Sequence, residues 1–509
     1  MFILRVVSPI VKSNRTMQKN GDANKKESPP NVTPVRPVQR AQQEQSEKPL
    51  DPEQLILNSP QLADQIKSTV NDLKIRQEDR SWAADLVNDF RENLLKFLRS
   101  STDQPIFQSA DFLNTGSYFE KVKISSPNEF DMMLTLQVST RLNLTPLDDG
   151  LFYRIDLTRP TRTPIQAFLM EDELTLSSSR ILGEMYRLVR KFLKTYKVPN
   201  DCYHWEVNKK KPYSPAVTLS LCKPENGSDE LISVDVVPAL EVQSWPNAVR
   251  GGPNVENWLG KKARQEIRSL PCYFVPKRRK LARNLSEEAK SDAKESWRIS
   301  FSHIEKRFMA AHGNKKTCCE SKSTKCCRKQ CLMLLKLLIE RLKHCFPKEL
   351  DALCSYHGKT AFFHTLSARY SDSQWAKKDL PICFIHLVDA FEDHAHRGVL
   401  PHFFVPQCNL FSPDAFPRKA LTFLVDVLKE QKKEGLPLLK PPAPAPAPPL
   451  KPETVSAETF AELAAENSFS PSWFPSVDSS FITKIIPVLM LVFLAVLFHV
   501  ALKGNQDRH

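Results

Sequence analysis

Two carboxylates in the segment NEFDMML are spaced to bind a metal ion together. Glu129 and Asp131 flank a phenylalanine. Alternate side chains of a strand point to the same face, so both carboxylates would share one face while Phe130 and Met132 pack on the other. Such oxygen pairs suit Mg²⁺, which proteins bind through one or two carboxylates together with substrate phosphates. The alternative for an isolated pair is an edge strand with a solvated acidic face.

A third carboxylate and a Gly-Ser pair favour the metal-binding interpretation. Asp235 lies within the otherwise apolar strand LISVDVVPAL (231–240), where a buried carboxylate is costly unless it is paired or metal-bound. Upstream, Gly116 would let the backbone approach a triphosphate, and the Ser117 hydroxyl could bond to a phosphate oxygen. This is the nucleotidyltransferase arrangement, in which the three acids are catalytic and hold two Mg²⁺ (or Mn²⁺) ions for an in-line attack. A hydrogen-bonded structural role is the alternative for Asp235.

A second cluster predicts a structural zinc ion. His312, Cys318, Cys319 and Cys326 follow the spacing H-x5-C-C-x6-C, and Cys₃His is an accepted closed zinc set. Basic residues surround it, and these are Lys315, Lys316, Lys322, Lys325, Arg328 and Lys329. On a protrusion stiffened by metal, such cations would bind phosphates without reading base sequence. The alternative is a solvated charge run.

Long amphipathic helices and short strands must position these residues. Apolar residues at helical spacing predict helices over 81–100, 177–196 (Ser-capped) and 330–346. Strands are predicted for the segment around Glu129, for LFYRIDL, and for 216–222 and 231–240. The fold class is therefore α+β: a nucleotidyltransferase-fold lobe with a mixed sheet and a long spine helix, followed by a C-terminal helical lobe that carries the zinc thumb.

Composition divides the chain into five segments. They are a disordered basic tail (1–52), a nucleotidyltransferase core with the spine helix (53–240), a helical lobe with the zinc thumb (241–434), a Pro-rich linker (435–480) and a transmembrane tail anchor (481–503). The anchor rests on the eighteen almost wholly apolar residues 485–502, long enough for a short span. The alternatives are a core helix and a spurious terminal extension. An anchor would tether the enzyme to an internal membrane, facing the cytosol.

Charge and cysteine content narrow the partners and the compartment. Lys and Arg total 72 against 58 Asp and Glu, a net charge of +14, which favours a polyanion such as nucleic acid or an anionic membrane. Five of the 12 cysteines fall between Cys318 and Cys331. Without an export signal this pattern indicates reduced thiols, a metal site, and a cytosolic or nuclear protein.

Four segments together resemble the vertebrate cyclic GMP–AMP synthase family over about residues 75 to 430. They are TGSYFEKVKISSPNEFDMML, ENWLGKKARQEIRSLPCYFVPK, SWRISFSHIEKRF and HGNKKTCCESKSTKCCRKQC. The resemblance implies an enzyme of innate immunity that senses double-stranded DNA. It would make a cyclic dinucleotide with mixed 2′,5′ and 3′,5′ linkages from ATP and GTP, as a homodimer on DNA.

The same resemblance assigns the metal, nucleotide and DNA contacts residue by residue. The metal-ligand positions fall on Glu129, Asp131 and Asp235. Nucleotide contacts fall on Thr115, Ser117, Lys277, Arg298, Ser300, Ser302, Glu305, Lys336, Ser355 and Tyr356, with Arg298 and the two serines of WRISFS reading guanine and Tyr356 stacking on a base. DNA contacts fall on the thumb, which is the basic segment around the four predicted zinc residues, and on Lys74, Arg76 and Arg80 at the spine helix. Lys306 and Lys316 match positively charged positions of the family's interface.

Two departures and two competing functions remain. The insertion 277–296 carries a Lys/Arg cluster at 277–283 that suggests an added nucleic-acid patch or nuclear signal, and Met333 stands where the family commonly has a basic residue. One alternative function is an RNA-activated cyclic dinucleotide or 2′,5′-oligonucleotide synthase. The other is a membrane-tethered nucleic-acid-binding scaffold with a relic active site.

Overall fold

The computed structural model describes residues 51–440, except 139, 200–201, 224–229, 250–251, 281–285 and 316. The predicted disordered tail (apart from its last two residues), most of the Pro-rich linker, the tail anchor and Lys316 lie outside the described residues. Among the helices that the structure describes, none is long and apolar enough to cross a membrane.

The functional residues are arranged around a nine-stranded mixed sheet. The strands are β1 (Asp111–Thr115), β2 (Glu129–Gln137), β3 (Leu142–Pro146), β4 (Phe152–Leu157), β5 (His204–Val207), β6 (Val217–Cys222), β7 (Glu230–Val242), β8 (Cys272–Val275) and β9 (Trp297–Ser300), with a separate hairpin of β10 (Pro401–His402) and β11 (Val405–Asn409). The sheet runs β1-β2-β7-β8-β9-β4-β3, and β6 with β5 joins the side of β7. The β2–β7 pair is parallel, whereas β2 pairs with β1 in antiparallel fashion. The predicted mixed sheet is therefore confirmed.

The described residues contain twelve α-helices, of which some pack on the sheet and the others form the C-terminal part of the described chain. They are α1 (Pro52–Leu57), α2 (Pro60–Asp72), α3 (Gln77–Ser100), α4 (Gly116–Phe119), α5 (Ser178–Leu193), α6 (Lys261–Arg268), α7 (Glu287–Lys294), α8 (Ser302–Ala310), α9 (Arg328–Cys345), α10 (Ser355–Ala368), α11 (Leu380–Arg397) and α12 (Arg418–Lys433). The three helices predicted from periodicity are present as α3, α5 and α9.

The spine helix α3 packs on α5 through aromatic side chains. Phe90 and Leu94 are buried, and the Phe90 ring meets Phe192 of α5 edge-on with centroids 5.9 Å apart. On α5, the Ser177 hydroxyl accepts a hydrogen bond from the Arg180 amide at 3.1 Å, which is the predicted N-cap. The two helices thus form one layer behind the sheet.

The predicted domain boundary at residue 240 is wrong. Strand β7 continues to Val242, β8 pairs with β7, and β9 pairs with β8, so all three strands belong to one sheet. The first 20 residues of the predicted core also pack elsewhere, because α1 and α2 lie against α9 and α11. Thr69 on α2, for example, donates its hydroxyl proton to the Leu439 carbonyl.

Candidate active site

The sheet register brings two of the three predicted acids side by side. Asp131 on β2 lies directly opposite Asp235 on the neighbouring parallel strand β7. Phe130 and Met132 are each 1% exposed, while Glu129 is exposed and Asp131 is half-buried. The strand alternation inferred from sequence therefore describes the start of β2 correctly, and the three carboxylates lie close enough for the charges of Glu129 and Asp235 to act on Asp131.

The carboxylates repel one another in this position. Burial, and then the charges of Glu129 and Asp235, raise the pKa of Asp131 to about 6. Burial also raises the pKa of Asp235, although the Thr218 hydroxyl opposes this by donating a hydrogen bond to it at 2.6 Å. Lys123 lies 2.6 Å from Glu129 and neutralises part of the charge. A site of this kind gains stability from a divalent cation, which the three carboxylates have the donor atoms to bind.

We expect Asp131→Asn to stabilise the metal-free protein at neutral pH. Since the folded pKa of Asp131 lies above the unfolded value, the stabilising contribution of the protonated carboxyl is fully present below about 3.8 and is lost as the pH rises through about 6. The free energy of unfolding of the variant should equal that of the parent in acid and should exceed it above this window by on the order of 1–2 kcal/mol. Urea unfolding from pH 3.5 to 8 without divalent ions measures the difference. Asp414→Asn is the control, because Asp414 is exposed, and a parent that is as stable as Asp131→Asn at pH 7 would contradict the prediction.

Residue 116 must be a glycine because its backbone lies very close to these acids. It has φ of 80°, a left-handed conformation that favours glycine. A Cβ at this position would collide with the Asp131 carboxylate. The Gly-Ser pair therefore lies against the acidic cluster, with Ser117 in the first turn of the short helix α4.

Two cavities open on either side of Gly116 and Asp131. The first, of about 540 Å³, is lined by Ser117, Glu129, Lys336, Ser355 and Tyr356. The second, of about 290 Å³, is lined by Thr115, Asp235, Lys277, Arg298, Ser300 and Ser302. Gly116 and Asp131 line both. A larger cavity of about 820 Å³ lies at the far ends of β2 and β7 and contains none of the predicted site residues.

Cationic and hydroxyl groups of the two cavities are suited to phosphates and base edges. Burial, followed by repulsion from Lys123 and Lys359, lowers the pKa of Lys336 to about 8. Burial and then Arg298 lower the pKa of Lys277 to about 8. Anionic phosphates would relieve the repulsion in both places.

A buried polar network behind the first cavity was missed by the sequence analysis. The Lys359 ammonium bridges Glu120 at 2.8 Å and Glu305 at 2.6 Å, and the Tyr356 hydroxyl contacts Glu305 at 3.1 Å and His402 at 2.9 Å. Burial alone would raise the pKa of Glu305, but Lys359 holds it below its usual value. Glu305, predicted as a nucleotide contact, is thus positioned by Lys359. The spacing of Tyr356 and Lys359 on one face of α10 was the available signal.

The predicted zinc residues come together in space. The ligand atoms of His312, Cys318, Cys319 and Cys326 all lie within 4.8 Å of one another. Neighbouring sulfurs are 3.7 and 3.9 Å apart, close to the separation of about 3.8 Å that a tetrahedral ion with Zn–S bonds of about 2.3 Å requires. The His312 Nδ1 contacts the Met309 carbonyl at 3.0 Å, which leaves Nε2 to face Cys319. The donor set and its spacing therefore fit zinc.

The predicted DNA contacts differ in how far their side chains are exposed. Exposed cations are Lys74, Arg76, Arg80, Lys315, Lys322 and Lys325. Half-buried ones are Lys306, which donates to the Asn114 carbonyl at 2.8 Å, and Lys329, which donates to the Glu120 carbonyl at 3.1 Å. The prediction for Arg328 is wrong, because its side chain is 0% exposed and pairs with Asp372.

Comparisons with known proteins identify both halves of the described chain. The family model of the Mab-21 protein nucleotidyltransferase domain matches residues 118–311, and that of the Mab-21 protein HhH/H2TH-like domain matches residues 327–430. A cyclic GMP-AMP synthase of Mus musculus is 40% identical over 378 residues, which are 74% of this chain and 70% of the mouse protein. One of Sus scrofa is 37% identical over 387 residues, 75% of this chain and 74% of that protein. A cyclic GMP-AMP synthase-like receptor of Magallana gigas is 25% identical over 368 residues, 70% of this chain and 56% of that protein.

Proposed function

Because the chain belongs to the cyclic GMP-AMP synthase family of Mab-21 nucleotidyltransferases, we propose that it joins ATP and GTP into cyclic GMP-AMP when it binds double-stranded DNA. The observation that carries the proposal is the placement of Asp131 and Asp235 in register between two cavities. A synthase that joins two different nucleotides needs two sites that share one set of catalytic acids. The product proposed is the isomer with 2′,5′ and 3′,5′ linkages, in the sensing of cytosolic DNA.

Glu129, Asp131 and Asp235 would hold two Mg²⁺ or Mn²⁺ ions. When bound, these ions neutralise the developing phosphate charge and activate the attacking hydroxyl. The chain's own residues would orient the reactants: Ser117 and Lys336 line the first cavity, where the hydroxyl and the ammonium would bind the triphosphate. The raised pKa of Asp131 means that a bound cation displaces a proton from it at mildly acidic pH.

The two cavities would take different bases. In the second cavity Arg298 can present a bidentate donor to a guanine edge, with Ser300 and Ser302, whose hydroxyls lie 3.1 Å apart, beside it. In the first, the half-buried Tyr356 offers a ring face for adenine stacking at the start of α10. Thr115 and Lys277 line the second cavity and Ser355 lines the first, and these are further predicted nucleotide contacts.

Activation would depend on an electrostatic surface formed by the spine and the thumb. The exposed Lys74, Arg76 and Arg80 with Lys315 and Lys325 can bind phosphates on any sequence of duplex. Zinc bound by His312 and the three cysteines would hold the thumb rigid. Lys306 and Lys316 would lie at the interface of a homodimer that binds two duplexes.

Product analysis tests the proposal against its alternatives. Purified full-length protein is incubated with ATP, GTP and Mg²⁺, with double-stranded DNA, double-stranded RNA or neither, and products are identified by mass spectrometry. We expect cyclic GMP-AMP only in the samples that contain double-stranded DNA. Stimulation by RNA only, or linear 2′,5′-oligonucleotides, would replace the proposal with the RNA-activated alternative. No product under any condition would leave a nucleic-acid-binding scaffold.

We further propose that residues 485–502 anchor the protein to an internal membrane, on the strength of their apolar sequence alone. A fluorescent fusion should then resist carbonate extraction, and deletion of residues 481–509 should make it soluble while catalysis in vitro survives. Phe493→Arg should weaken insertion, since a charge at mid-span costs roughly 2.5–3.5 kcal/mol, whereas Phe474→Arg outside the segment should not. Full-length protein that extracts with carbonate regardless of Phe493→Arg would exclude the anchor.

A further inference from the structure

Arg328 is a buried cation placed behind the predicted zinc cluster. It is the first residue of α9, its side chain is 0% exposed, and one Nη lies 2.9 Å from the Asp372 carboxylate. The other Nη lies 3.6 Å from the Cys318 sulfur, within reach of a weak N–H···S hydrogen bond. The guanidinium also lies over the Trp375 ring, 5.6 Å from its centroid.

Charge balance explains why such an arginine can be buried. A guanidinium out of water is costly unless opposite charge surrounds it. Asp372 supplies one negative charge. A zinc ion with three thiolates and a neutral imidazole carries a net single negative charge, and the Cys318 sulfur lies 3.6 Å from the Arg328 guanidinium. The cation therefore lies between two anions, one of which exists only when zinc is bound.

Asp372 holds the loop that leads into the cluster. Its two carboxylate oxygens accept backbone N–H groups from Asn314 at 3.1 Å and Lys315 at 3.0 Å. Gly313 lies so close to Cys318 that a Cβ there would clash with the cysteine side chain. The carboxylate thus fixes the backbone just before the two adjacent cysteines.

The segment around Trp375 completes this support. Cys326 forms an isolated bridge with Ala376, and the amide of Cys327 donates to the Trp375 carbonyl at 2.9 Å. Trp375 is fully buried. The last zinc residue is therefore held by the same short segment that carries Asp372.

We propose that Arg328 and Asp372 are positioning residues of the zinc site. Arg328 stabilises the Cys318 thiolate by hydrogen bonding and charge, and Asp372 orients both the arginine and the 313–315 loop. Outer groups of this kind tune affinity by fixing ligand geometry and electron density at sulfur. The inference deepens the proposed function, since it rests on the zinc site, and it replaces the DNA contact expected for Arg328.

The test compares variants that keep or remove the charge. Arg328→Met removes the charge at similar size, Arg328→Lys keeps the charge without the planar fork, and Asp372→Asn removes the counter-charge. Arg341→Met is the matched control, because Arg341 lies on the same helix and donates only to the Leu438 and Lys440 carbonyls among the described residues. Zinc affinity is measured by competition with a chromophoric chelator, and the sulfur-to-metal charge-transfer band is recorded after Co²⁺ substitution.

We expect Arg328→Met and Asp372→Asn to weaken zinc binding by roughly 10- to 100-fold, with a shifted Co²⁺ band, and Arg328→Lys to fall between them and the parent. Parental affinity and an unshifted band in these variants would overturn the proposal. If Arg328→Met does not fold, Arg328→Lys and Asp372→Asn decide by the same criteria. A parent that binds no zinc would instead refute the zinc site itself, and product formation would then still test the synthase proposal separately.

Discussion

The double variant Glu129→Gln, Asp131→Asn will form no measurable cyclic dinucleotide while it still folds and binds DNA. The two substitutions preserve size but remove the negative oxygens that would hold the catalytic cations on β2. Asp235 alone, hydrogen-bonded to Thr218, cannot replace them. Because metal ions supply several kcal/mol of transition-state stabilisation, we expect a loss of roughly a thousandfold or more, about 4 kcal/mol.

Product formation by mass spectrometry and DNA affinity by fluorescence anisotropy are measured on the same preparations. Asp103→Asn is the control, since Asp103 pairs with Lys191 and Arg187 on α5 and lines neither cavity. DNA affinity should be unchanged in both variants, because the exposed cations of the spine and thumb are intact. Synthesis by the double variant above a few per cent of the parent rate would remove these carboxylates from the mechanism.

Local patterns in the sequence were enough to place the acids on their strand. The alternation of Glu129, Phe130, Asp131 and Met132 predicts which of these side chains are buried, and the first four residues of β2 follow it. Alternation cannot predict register between strands far apart in sequence. That Asp131 lies opposite Asp235 depends on a parallel pairing across about 100 residues, which only the folded sheet reveals.

Short buried strands account for the misplaced domain boundary. Strands β8 and β9 have four residues each, and all but Arg298 are buried. A brief apolar run without alternation does not distinguish a strand from a piece of helix. The helical patterns beyond them were stronger, so the sequence analysis ended the sheet too early.

Charge runs proved the least informative signal. In KCCRK the cations Lys325, Arg328 and Lys329 look alike, yet they are respectively exposed, fully buried and half-buried. The carboxylate that pairs with the buried Arg328 belongs to Asp372, which lies 44 residues away in sequence. The Lys359 bridge to Glu120 and Glu305 was missed for the same reason, since its members come from three separate helices or their ends.

Removing two of the proposed zinc ligands is expected to abolish stimulation by DNA. Cys318→Ala with Cys319→Ala leaves only His312 and Cys326, too few donors for a closed structural site. The binding energy of structural zinc is also folding energy, so its loss should unfold the loop between His312 and Cys326 and scatter the thumb cations. Zinc content should fall from one equivalent to none, and DNA-stimulated synthesis should fall by about a hundredfold or more, while the carboxylates on β2 and β7 remain in place.

Metal analysis, DNA titration and product assays separate these effects. Cys345→Ala is the matched control, because Cys345 is exposed at the far end of α9 and lies outside the cluster. Chelation of the parent should reproduce the loss, and added zinc should restore the parent but not the double variant. Unstimulated turnover separates the thumb from the active site: if it survives in the double variant while the DNA response disappears, zinc acts through the nucleic-acid surface. A double variant that retains zinc and a full DNA response would show that these cysteines are not the ligands, because no closed site can lose two of four donors and keep its ion.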